Sequence, residues 1–353
     1  MKKGTWLLCI LSAMLLALSA TAPAADKHHH KKLAIDKVKD GLSLIVLGSG
    51  GPVAASEGRA SAGYLILVDR EPRILMDMGG GTFKSLAQSG AQIPDLAHFL
   101  ITHLHLDHMG DMSAIVKTLF FHNRRAGTFR AAPLRFYGPE MNGIPFPPAP
   151  PLADGAGVAQ YPHTSEYVDG HFDIRTGVDR YLNAFALGIE AGVLKTVTTD
   201  LPSNFRSPAI TTVFEDPDGL TVSSIAVNHG PVPGVAYRVE YGGKSIVFSG
   251  DTSSRTDNMI DIADNADLLI YDTAIMADQP PPDSIFHKLH TTPERIGEVA
   301  VAANPATLLL SHITPVTDPR IDEVKHIIRA AGYTGRLKVA RDLQVFNLHG
   351  HDD

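Results

Sequence analysis

The chain alternates short apolar runs with turn residues, and this pattern predicts a sheet-rich α/β protein. Apolar runs of about four to eight residues between turn residues are typical of buried strands. Apolar positions spaced three and four apart, as in residues 296–303, indicate helices instead. The predicted strands are residues 42–47, 63–68, 73–78, 98–101, 220–227, 236–241, 244–248, 268–271 and 307–310, and the predicted helices are 83–88, 112–121, 169–192, 291–303 and 321–331.

The connections between these elements carry their own predictions. Strands 236–241 and 244–248 flank two glycines that tolerate positive φ, which predicts a hairpin. Residues 338–348 are predicted to form a closing hairpin. Prolines cluster between about 133 and 162, which predicts a Pro-rich insertion. Such a segment either rims a substrate cleft or is a surface loop without a role.

Candidate metal ligands are concentrated directly after the predicted strand 98–101. Three imidazoles and one carboxylate fall within six residues, at His103, His105, Asp107 and His108. Residues i and i+2 of a strand share a face, so His103 and His105 can point at one cation. If the chain then turns, Asp107 and His108 can reach a second cation about 3.5–4 Å away. Imidazole and carboxylate ligands without a thiolate suit zinc best, and manganese and iron are the alternatives. The alternative interpretation of the motif is a surface histidine cluster without a function.

Three further candidates stand at the ends of later apolar runs. His229 follows residues 220–227, Asp251 follows 244–248, and His312 follows 307–310. Ligand sites at strand ends are held rigidly, and open α/β sheets bind ligands there. A single histidine at a strand end is more often structural, so the prediction rests on the three taken together with the first motif.

The start of the chain predicts export. Lys2 and Lys3 precede an apolar segment, residues 6–18, that is shorter than a membrane span. Small residues follow, so we expect a signal peptide at residues 1–24 and a periplasmic or secreted location, with a retained anchor as the alternative. The only cysteine, Cys9, lies in this segment, so the mature protein would have neither a disulfide nor a thiolate ligand.

Charge and length limit the remaining possibilities. The chain has 31 Lys and Arg against 38 Asp and Glu, and losing Lys2 and Lys3 changes the net charge from −7 to 29 − 38 = −9. Net-acidic proteins are poor general binders of nucleic acid, so we expect no nucleic-acid partner. Residues 25–41, with histidines at 28–30, are predicted to be a flexible tail, and residues 42–353 a single catalytic domain.

Taken together, the motifs resemble those of the metallo-β-lactamase superfamily. The pattern H-x-H-x-D-H is followed by a histidine, by Gly-Asp-Thr and by Ser-His-Ile-x-Pro, and the resemblance extends from about Leu42 to about Leu348. It implies a four-layer αββα sandwich with a two-metal cleft at one edge. It further implies that His103, His105 and His229 hold one zinc ion, that Asp107, His108 and His312 hold the other, and that Asp251 bridges them.

Residues 290–292, His-Thr-Thr, resemble an element of the ribonuclease Z-like and arylsulfatase-like branch of that superfamily. The resemblance implies that His290 is the general acid for the leaving group, while Asp107 orients and deprotonates the attacking water. It also implies that Asp77 supports a ligand loop from behind. Asp272 departs from the glutamate that this branch often has at that position, which argues against ribonuclease activity proper.

The predicted function is that of an exported dinuclear-zinc hydrolase. A small phosphodiester or sulfate ester is the first choice of substrate, a lactone or β-lactam is the alternative, and a non-catalytic metal-binding protein is the third. Enzymes that process transfer RNA carry a long arm between the third histidine and the bridging aspartate, but here 251 − 229 = 22 residues leave room only for a hairpin. We expect a small-molecule substrate and no membrane contact after signal removal, with a homodimer as a candidate assembly.

Overall fold

Two seven-stranded sheets form the centre of this protein in the computed structural model. The structure describes residues 32–53, 58–125, 132–145, 160–182 and 195–348, with side chains of 120–125 not described. The predicted signal peptide, the histidines at 28–30 and the middle of the Pro-rich insertion lie outside these ranges. Across the described ranges, no helix combines the length and apolar character needed to cross a bilayer.

The first sheet combines antiparallel and parallel strands in the spatial order β14-β1-β2-β3-β4-β5-β6. β1, β2, β3 and β14 pair antiparallel, whereas β3 to β6 are parallel neighbours. Its strands are β1 (Leu42–Gly48), β2 (Gly63–Val68), β3 (Glu71–Met76), β4 (His98–Leu100), β5 (Leu134–Pro139), β6 (Thr196–Leu201) and β14 (Val345–Leu348).

The second sheet mirrors this arrangement in the order β13-β12-β11-β10-β9-β8-β7. β7 to β10 pair antiparallel, and β10 to β13 are parallel. Its strands are β7 (Thr211–Glu215), β8 (Thr221–His229), β9 (Val232–Tyr241), β10 (Lys244–Phe248), β11 (Leu268–Asp272), β12 (Thr307–Ser311) and β13 (Arg336–Val339).

Helices cover the outer faces of both sheets, which confirms the predicted four-layer αββα sandwich. One apolar core, including Leu86, Phe99 and Ile115, joins α1 and α3 to the first sheet. Another, including Val299 and Ile328, joins the later helices to the second sheet. The helices are α1 (Thr82–Ser89), α2 (Leu106–Met109), α3 (Met112–Arg125), α4 (Thr164–Phe172), α5 (Asn258–Ala263), α6 (Phe286–Leu289), α7 (Pro293–Ala303) and α8 (Ile321–Ala330), with 3₁₀ turns at Ile35–Lys37 and Asp318–Arg320.

A third core fills the space between the two sheets and explains the continuous apolar runs in the sequence. Leu44 and Ile66 of the first sheet are fully buried there with Val239 and Phe248 of the second. Because helices cover the other side, these strands are buried on both faces, and all seven residues of β1 are buried. Truncating one such leucine to alanine should cost about 2–5 kcal/mol of unfolding free energy.

The topology brings the ends of several strands to one edge of the sandwich. β10, β11 and β12 are parallel, and β8 runs in the same direction because β9 is antiparallel to both β8 and β10. β4 of the other sheet ends beside them, where Val235 N donates to Thr102 O at 3.0 Å. The predicted ligands that follow these strands therefore meet at one edge.

The closing hairpin predicted at 338–348 is wrong. β13 joins the second sheet parallel to β12, and β14 joins the first sheet antiparallel to β1. The two strands are short, and each is paired with a longer buried neighbour in a different sheet. By contrast, the hairpin around Gly242 and Gly243 is confirmed as β9 and β10.

Three predicted boundaries also shift. β5 is an internal strand of the first sheet, so the region 133–162 begins as regular structure and not as an insertion. The predicted tail 25–41 is folded at its end, since Ala34 and Val38 are buried around a 3₁₀ turn. The helix predicted at 169–192 is interrupted, because α4 begins at Thr164 and ends at Phe172, residues 180–182 are helical again, and residues 183–192 lie outside the described ranges.

Candidate metal centre

The first ligand cluster consists of His103, His105, His229 and Asp251. One nitrogen or oxygen from each residue lies within 4.8 Å of those of the others. His229 Nε2 lies 3.3 Å from His105 Nδ1 and 3.9 Å from Asp251 Oδ2. His103 Nε2 lies 3.7 Å from the same Asp251 oxygen. The structure thus brings together all the residues predicted for one metal ion.

The second cluster consists of Asp107, His108, His312 and, again, Asp251. His312 Nε2 lies 3.1 Å from Asp107 Oδ2, 3.3 Å from Asp251 Oδ1 and 3.3 Å from His108 Nε2. His108 Nε2 lies 3.4 Å from Asp251 Oδ1. Asp251 therefore presents Oδ1 to this cluster and Oδ2 to the first, as a bridging carboxylate does.

The spacing of these atoms fits metal coordination. Ligands about 2.0–2.1 Å from a tetrahedral centre lie about 3.3 Å from one another. The contacts of 3.1 to 3.5 Å in the second cluster match this spacing, and those of the first, 3.3 to 3.9 Å, are slightly wider. Two of the proposed ligand atoms, His103 Nε2 and Asp251 Oδ1, are buried without a hydrogen-bond partner. Since buried polar atoms are normally paired, both fit a role as metal ligands.

The electrostatics of the two clusters differ. Burial lowers the pKa of His103 well below its usual value and that of His229 to about 3, so both rings are neutral. Burial also opposes protonation of His108 and His312, but the carboxylates around them, Asp251 first, raise the pKa of His108 well above its usual value and that of His312 to about 10. The first cluster thus offers neutral imidazoles, and the second favours positive charge, which a metal cation provides.

The local fold of the first motif differs from the prediction. β4 ends at Leu100, so His103 and His105 lie in an extended loop and not on a strand. They reach the same cluster because the loop runs directly into α2, with His105 at its N-cap. The predicted turn is present, since Asp107 and His108 lie within the single turn of α2.

Close backbone approaches explain the glycines beside the centre. A Cβ atom at Gly51 would lie 2.8 Å from the His312 ring, and one at Gly79 would lie 2.0 Å from Asp107 O. His312 and Asp77 themselves have φ angles of 57° and 53°, which are uncommon outside glycine. Such conformations persist where surrounding contacts hold them and are often found at functional sites.

Residues behind the clusters orient the ligands. Asp77 Oδ2 lies 2.7 Å from His108 Nδ1, and its carboxylate accepts hydrogen bonds from Thr102 N and Oγ1 at 2.8 Å each. The structure therefore places Asp77 where the supporting role requires it. His229 Nδ1 donates to Leu289 O at 2.7 Å. These contacts leave Nε2 of both histidines directed at the metal positions.

The sequence reasoning missed Tyr161, which contacts His105. Its hydroxyl lies 3.2 Å from His105 Nε2, and His105 Nδ1 faces His229. A histidine that binds metal through Nδ1 carries its proton on Nε2, and that proton is normally donated to a partner. Tyr161 lies at the end of the predicted Pro-rich insertion, and no local motif identified it.

Tyr161→Phe should weaken zinc binding at the first cluster by about 10- to 100-fold, because it removes the partner of His105 Nε2. The measurement is the zinc dissociation constant, obtained by competition with a coloured chelator. Tyr167→Phe is the matched control, since Tyr167 lies on α4 and its ring contacts His171 instead of a ligand. Equal zinc affinity in the two variants would contradict this role.

Asp272, which the sequence analysis identified only as a departure from a family pattern, contacts both His290 and His312. Asp272 Oδ2 lies 2.8 Å from His290 Nδ1, and Oδ1 lies 3.4 Å from His312 Nδ1. Burial lowers the pKa of His290, but Asp272 outweighs that effect and the pKa is raised. His290 Nδ1 also lies 3.9 Å from Asp251 Oδ2. The predicted acid thus stands beside the ligand clusters and is held by a carboxylate.

Comparisons with known proteins agree with this geometry. A family model described as "Beta-lactamase superfamily domain" matches residues 166–313, and one described as "Anti-Pycsar protein Apyc1" matches residues 42–133. Ribonuclease Z of Mycobacterium bovis (strain BCG / Pasteur 1173P2) is 26% identical over 316 residues, covering 87% of this chain and 99% of the relative.

Solved structures show the same fold. The metallo-β-lactamase fold protein YhfI from Bacillus subtilis aligns with a TM-score of 0.57 and 21% identity, covering 87% of this chain and 99% of that chain. The short form of human tRNase Z aligns with a TM-score of 0.58 and 18% identity, covering 86% and 98%. At these identities the likeness shows the fold alone.

The expectation of no nucleic-acid partner is wrong. The curated relative is named a ribonuclease and matches nearly the whole described fold, so RNA-cleaving proteins are among the relatives of this chain. The prediction rested on net charge, which describes the whole chain, whereas binding depends on the local potential at one surface. The short connection from His229 to Asp251, the β9–β10 hairpin, does not exclude RNA either. The possible homodimer stays a prediction.

The matches and the site together confirm the predicted metal-dependent hydrolase. This fold normally binds metal ions, typically zinc, and both clusters of histidine and aspartate lie where the strands end. With its αββα sandwich and the ordered set of histidines and aspartates along its edge, the chain has the metallo-β-lactamase fold, and its residues 166–313 match the β-lactamase superfamily domain.

Proposed function

We propose that this protein is a dinuclear-zinc phosphodiester hydrolase. The observation that carries the proposal is the Asp272–His290 pair, with 2.8 Å between carboxylate and imidazole, at the edge of the ligand clusters. A histidine held in this way can protonate an alcohol as it leaves. Such help matters most for esters with poor leaving groups, and phosphodiesters of ordinary alcohols are of this kind.

The ligand assignment follows the two clusters. His103, His105 and His229 would hold one zinc ion, Asp107, His108 and His312 the other, and Asp251 both. When bound, the ions supply Lewis acidity and lower the pKa of a water molecule. Manganese and iron use the same ligand types and are the alternatives.

Asp107 and His290 carry out the two proton transfers of the reaction. Asp107, whose Oδ2 faces His312, orients the attacking water and accepts its proton. Water adds to phosphorus, and the bond from phosphorus to the leaving oxygen breaks. His290 has Nδ1 bonded to Asp272, so Nε2 is the nitrogen that donates a proton to that oxygen. Asp272 keeps the imidazole oriented and stabilises its charged form.

The choice among ester types rests on the leaving group and on the relatives. The bond that a ribonuclease cleaves is a phosphodiester, and a protein of that name matches this chain over 316 residues. Sulfate esters share the need for an acid. Lactones and β-lactams need it less, and no contact in the described part of the site favours them. Both small phosphodiesters and RNA are therefore within the proposed substrate class.

A substrate panel tests the proposal. The zinc-loaded protein should show its highest kcat/KM on phosphodiesters when bis(4-nitrophenyl) phosphate and a short RNA are compared with an aryl sulfate, a lactone and a cephalosporin. A higher kcat/KM on the aryl sulfate would indicate that the enzyme attacks sulfur and not phosphorus. Preference for the lactone or the cephalosporin would overturn the proposal.

The purified protein should contain two zinc ions per chain, because each cluster supplies three ligands of its own and shares Asp251. Elemental analysis after gentle purification is the measurement, and removal with a chelator should abolish activity that added zinc restores. One equivalent that excess zinc does not change would contradict a dinuclear centre.

Export remains part of the proposal, supported by the basic and apolar start of the chain. Protein recovered from the periplasm or the medium should lack residues 1–24, and its intact mass measures this directly. An exported form that still begins with Met1 would contradict signal-peptide removal.

A further inference from the structure

A second recess, separate from the ligand clusters, is unusually rich in positive charge. It encloses about 450 Å³ beside β13 and α8. Its charged lining residues are Arg59, Lys325, Lys338 and Arg341, with Asp318 as the single acid, and together they define the basic recess. This concentration of cations stands out in a chain whose net charge is −7.

The basic recess lies on the same edge of the sandwich as the metal centre. β13 runs parallel to β12, with Val339 opposite Leu310, and His312 and Arg341 follow the ends of these two strands. Neighbouring strands are about 4.8 Å apart, so only a short distance separates the two strand ends. A substrate chain passing over the metal centre along this edge would next reach the recess.

Arg59 lines the recess and connects it to residues near the metal centre. Its Nη1 donates to Ser49 Oγ at 2.9 Å and to Ala340 O at 2.8 Å, and Nη2 pairs with Asp318 at 3.1 Å. Ser49 O in turn accepts a hydrogen bond from Ile313 N, next to His312, at 2.9 Å. The guanidinium therefore neutralises Asp318, the one acid among the described lining residues, and is connected through Ser49 to the residue that follows His312.

The remaining cations face outward. Lys338 and Arg341 are exposed, and the Lys338 ammonium lies 5.3 Å from the centre of the Phe346 ring. Lys325 pairs at 2.9 Å with Asp322, whose side chain is 93% exposed, so water weakens that pair. The recess thus keeps a net positive charge that no buried carboxylate cancels among the described lining residues.

We propose that the basic recess binds backbone phosphates of a single-stranded RNA whose scissile phosphodiester lies at the metal centre. Lysine and arginine are the side chains that hold phosphates, and such contacts are independent of base sequence. The inference rests on the proposed phosphodiester hydrolysis and names where the rest of a long substrate is held. Small phosphodiesters do not reach the recess and do not depend on it.

The test compares two double variants with the same change in charge. Lys338→Gln/Arg341→Gln alters the recess, and Lys39→Gln/Arg70→Gln alters exposed cations at the opposite edge, where β1 begins and β2 ends. Binding of a fluorescein-labelled oligouridylate with phosphorothioate linkages, which resist cleavage, is measured by anisotropy on the zinc-loaded protein at about 50 to 200 mM salt.

The recess variant should bind the oligonucleotide about tenfold more weakly than wild type. The slope of log K against log salt should become shallower by about 1.4, since each lost single-strand phosphate contact removes about 0.7. Both double variants should keep the wild-type kcat/KM for bis(4-nitrophenyl) phosphate and the wild-type melting temperature. The Lys39/Arg70 variant should match wild type in binding as well.

Equal affinity and equal salt slopes in the two double variants would overturn the proposal. Loss of inorganic phosphate or AMP binding in the recess variant, with oligonucleotide binding unchanged, would also overturn it and identify a site for a free anion. If wild type fails to hydrolyse bis(4-nitrophenyl) phosphate, the proposed function fails, but the binding comparison still decides whether the recess holds RNA.

Discussion

Asp251→Ala should remove both metal ions and lower kcat/KM on phosphodiesters by about 10⁴-fold or more. Asp251 Oδ1 lies 3.4 Å from His108 Nε2, and Oδ2 lies 3.7 Å from His103 Nε2, so a single substitution opens both clusters. Charge stabilisation by metal ions is worth several kcal/mol, and each 1.4 kcal/mol or so is tenfold in rate. Metal content and kcat/KM, measured on the same preparation, test this prediction.

Asp77→Ala is the matched control for this substitution. Asp77 is equally buried, but its carboxylate contacts His108 Nδ1 from behind and Thr102, and it touches no metal position. Losing such a supporting contact costs about 10- to 100-fold. Folding is checked by circular dichroism, with Asp251→Asn as the closest replacement in shape. Equal losses of activity and metal in the Asp251 and Asp77 variants would contradict the bridging role.

His290→Ala should slow hydrolysis of alkyl phosphodiesters by about 10²–10⁴-fold and largely spare activated nitrophenyl esters. The reason is that a general acid contributes most when the leaving alcohol is a poor one. Both metal ions should remain bound, since His290 belongs to neither of the two proposed sets of ligands. The measurement is kcat/KM across a series of leaving groups for wild type and variant, plotted against the pKa of the leaving alcohol.

The leaving-group series separates three roles of His290. A steeper dependence in the variant supports the acid, and parallel slopes would falsify it. A small effect on a lactone that proves to be the best substrate would favour the ring-opening alternative. Asp272→Asn provides a second variant, because it keeps the shape of the side chain but weakens the hydrogen bond to His290 Nδ1. It should show the same change in slope to a smaller degree.

Local patterns in the sequence were enough to propose the ligand set, whose residues the structure brings together, and to predict much of the fold. Buried strands such as β1 and β10 appear as unbroken apolar runs because both of their faces are covered. His103, His105, Asp107 and His108 form a dense motif whose residue types already indicate metal chemistry. His229, Asp251 and His312 follow apolar runs, so the strand ends that carry them were also visible.

Predictions failed where a weak local pattern depended on distant partners. β13 and β14 look like one hairpin along the chain, but β13 pairs with the preceding strand β12 and β14 pairs with β1 near the start of the chain, in separate sheets. β6 has an alternating and partly exposed pattern, and β5 lies in a region that its prolines made look irregular. The error about nucleic acid has a similar origin, since net charge says nothing about where cations gather.

By itself, the sequence determined the fold class and the chemistry of the ligands, because both depend on residue types and on short spacings. Only the tertiary structure decided which residues support that chemistry. Tyr161 and Asp272 lie 56 and 18 positions from the histidines that they contact, and Asp77, whose supporting role the family resemblance implied, lies 31 positions from His108. The basic recess likewise joins Arg59 to residues more than 250 positions later. These contacts exist because the parallel strands end at one edge, and sheet topology is a property of the folded chain that no short stretch encodes.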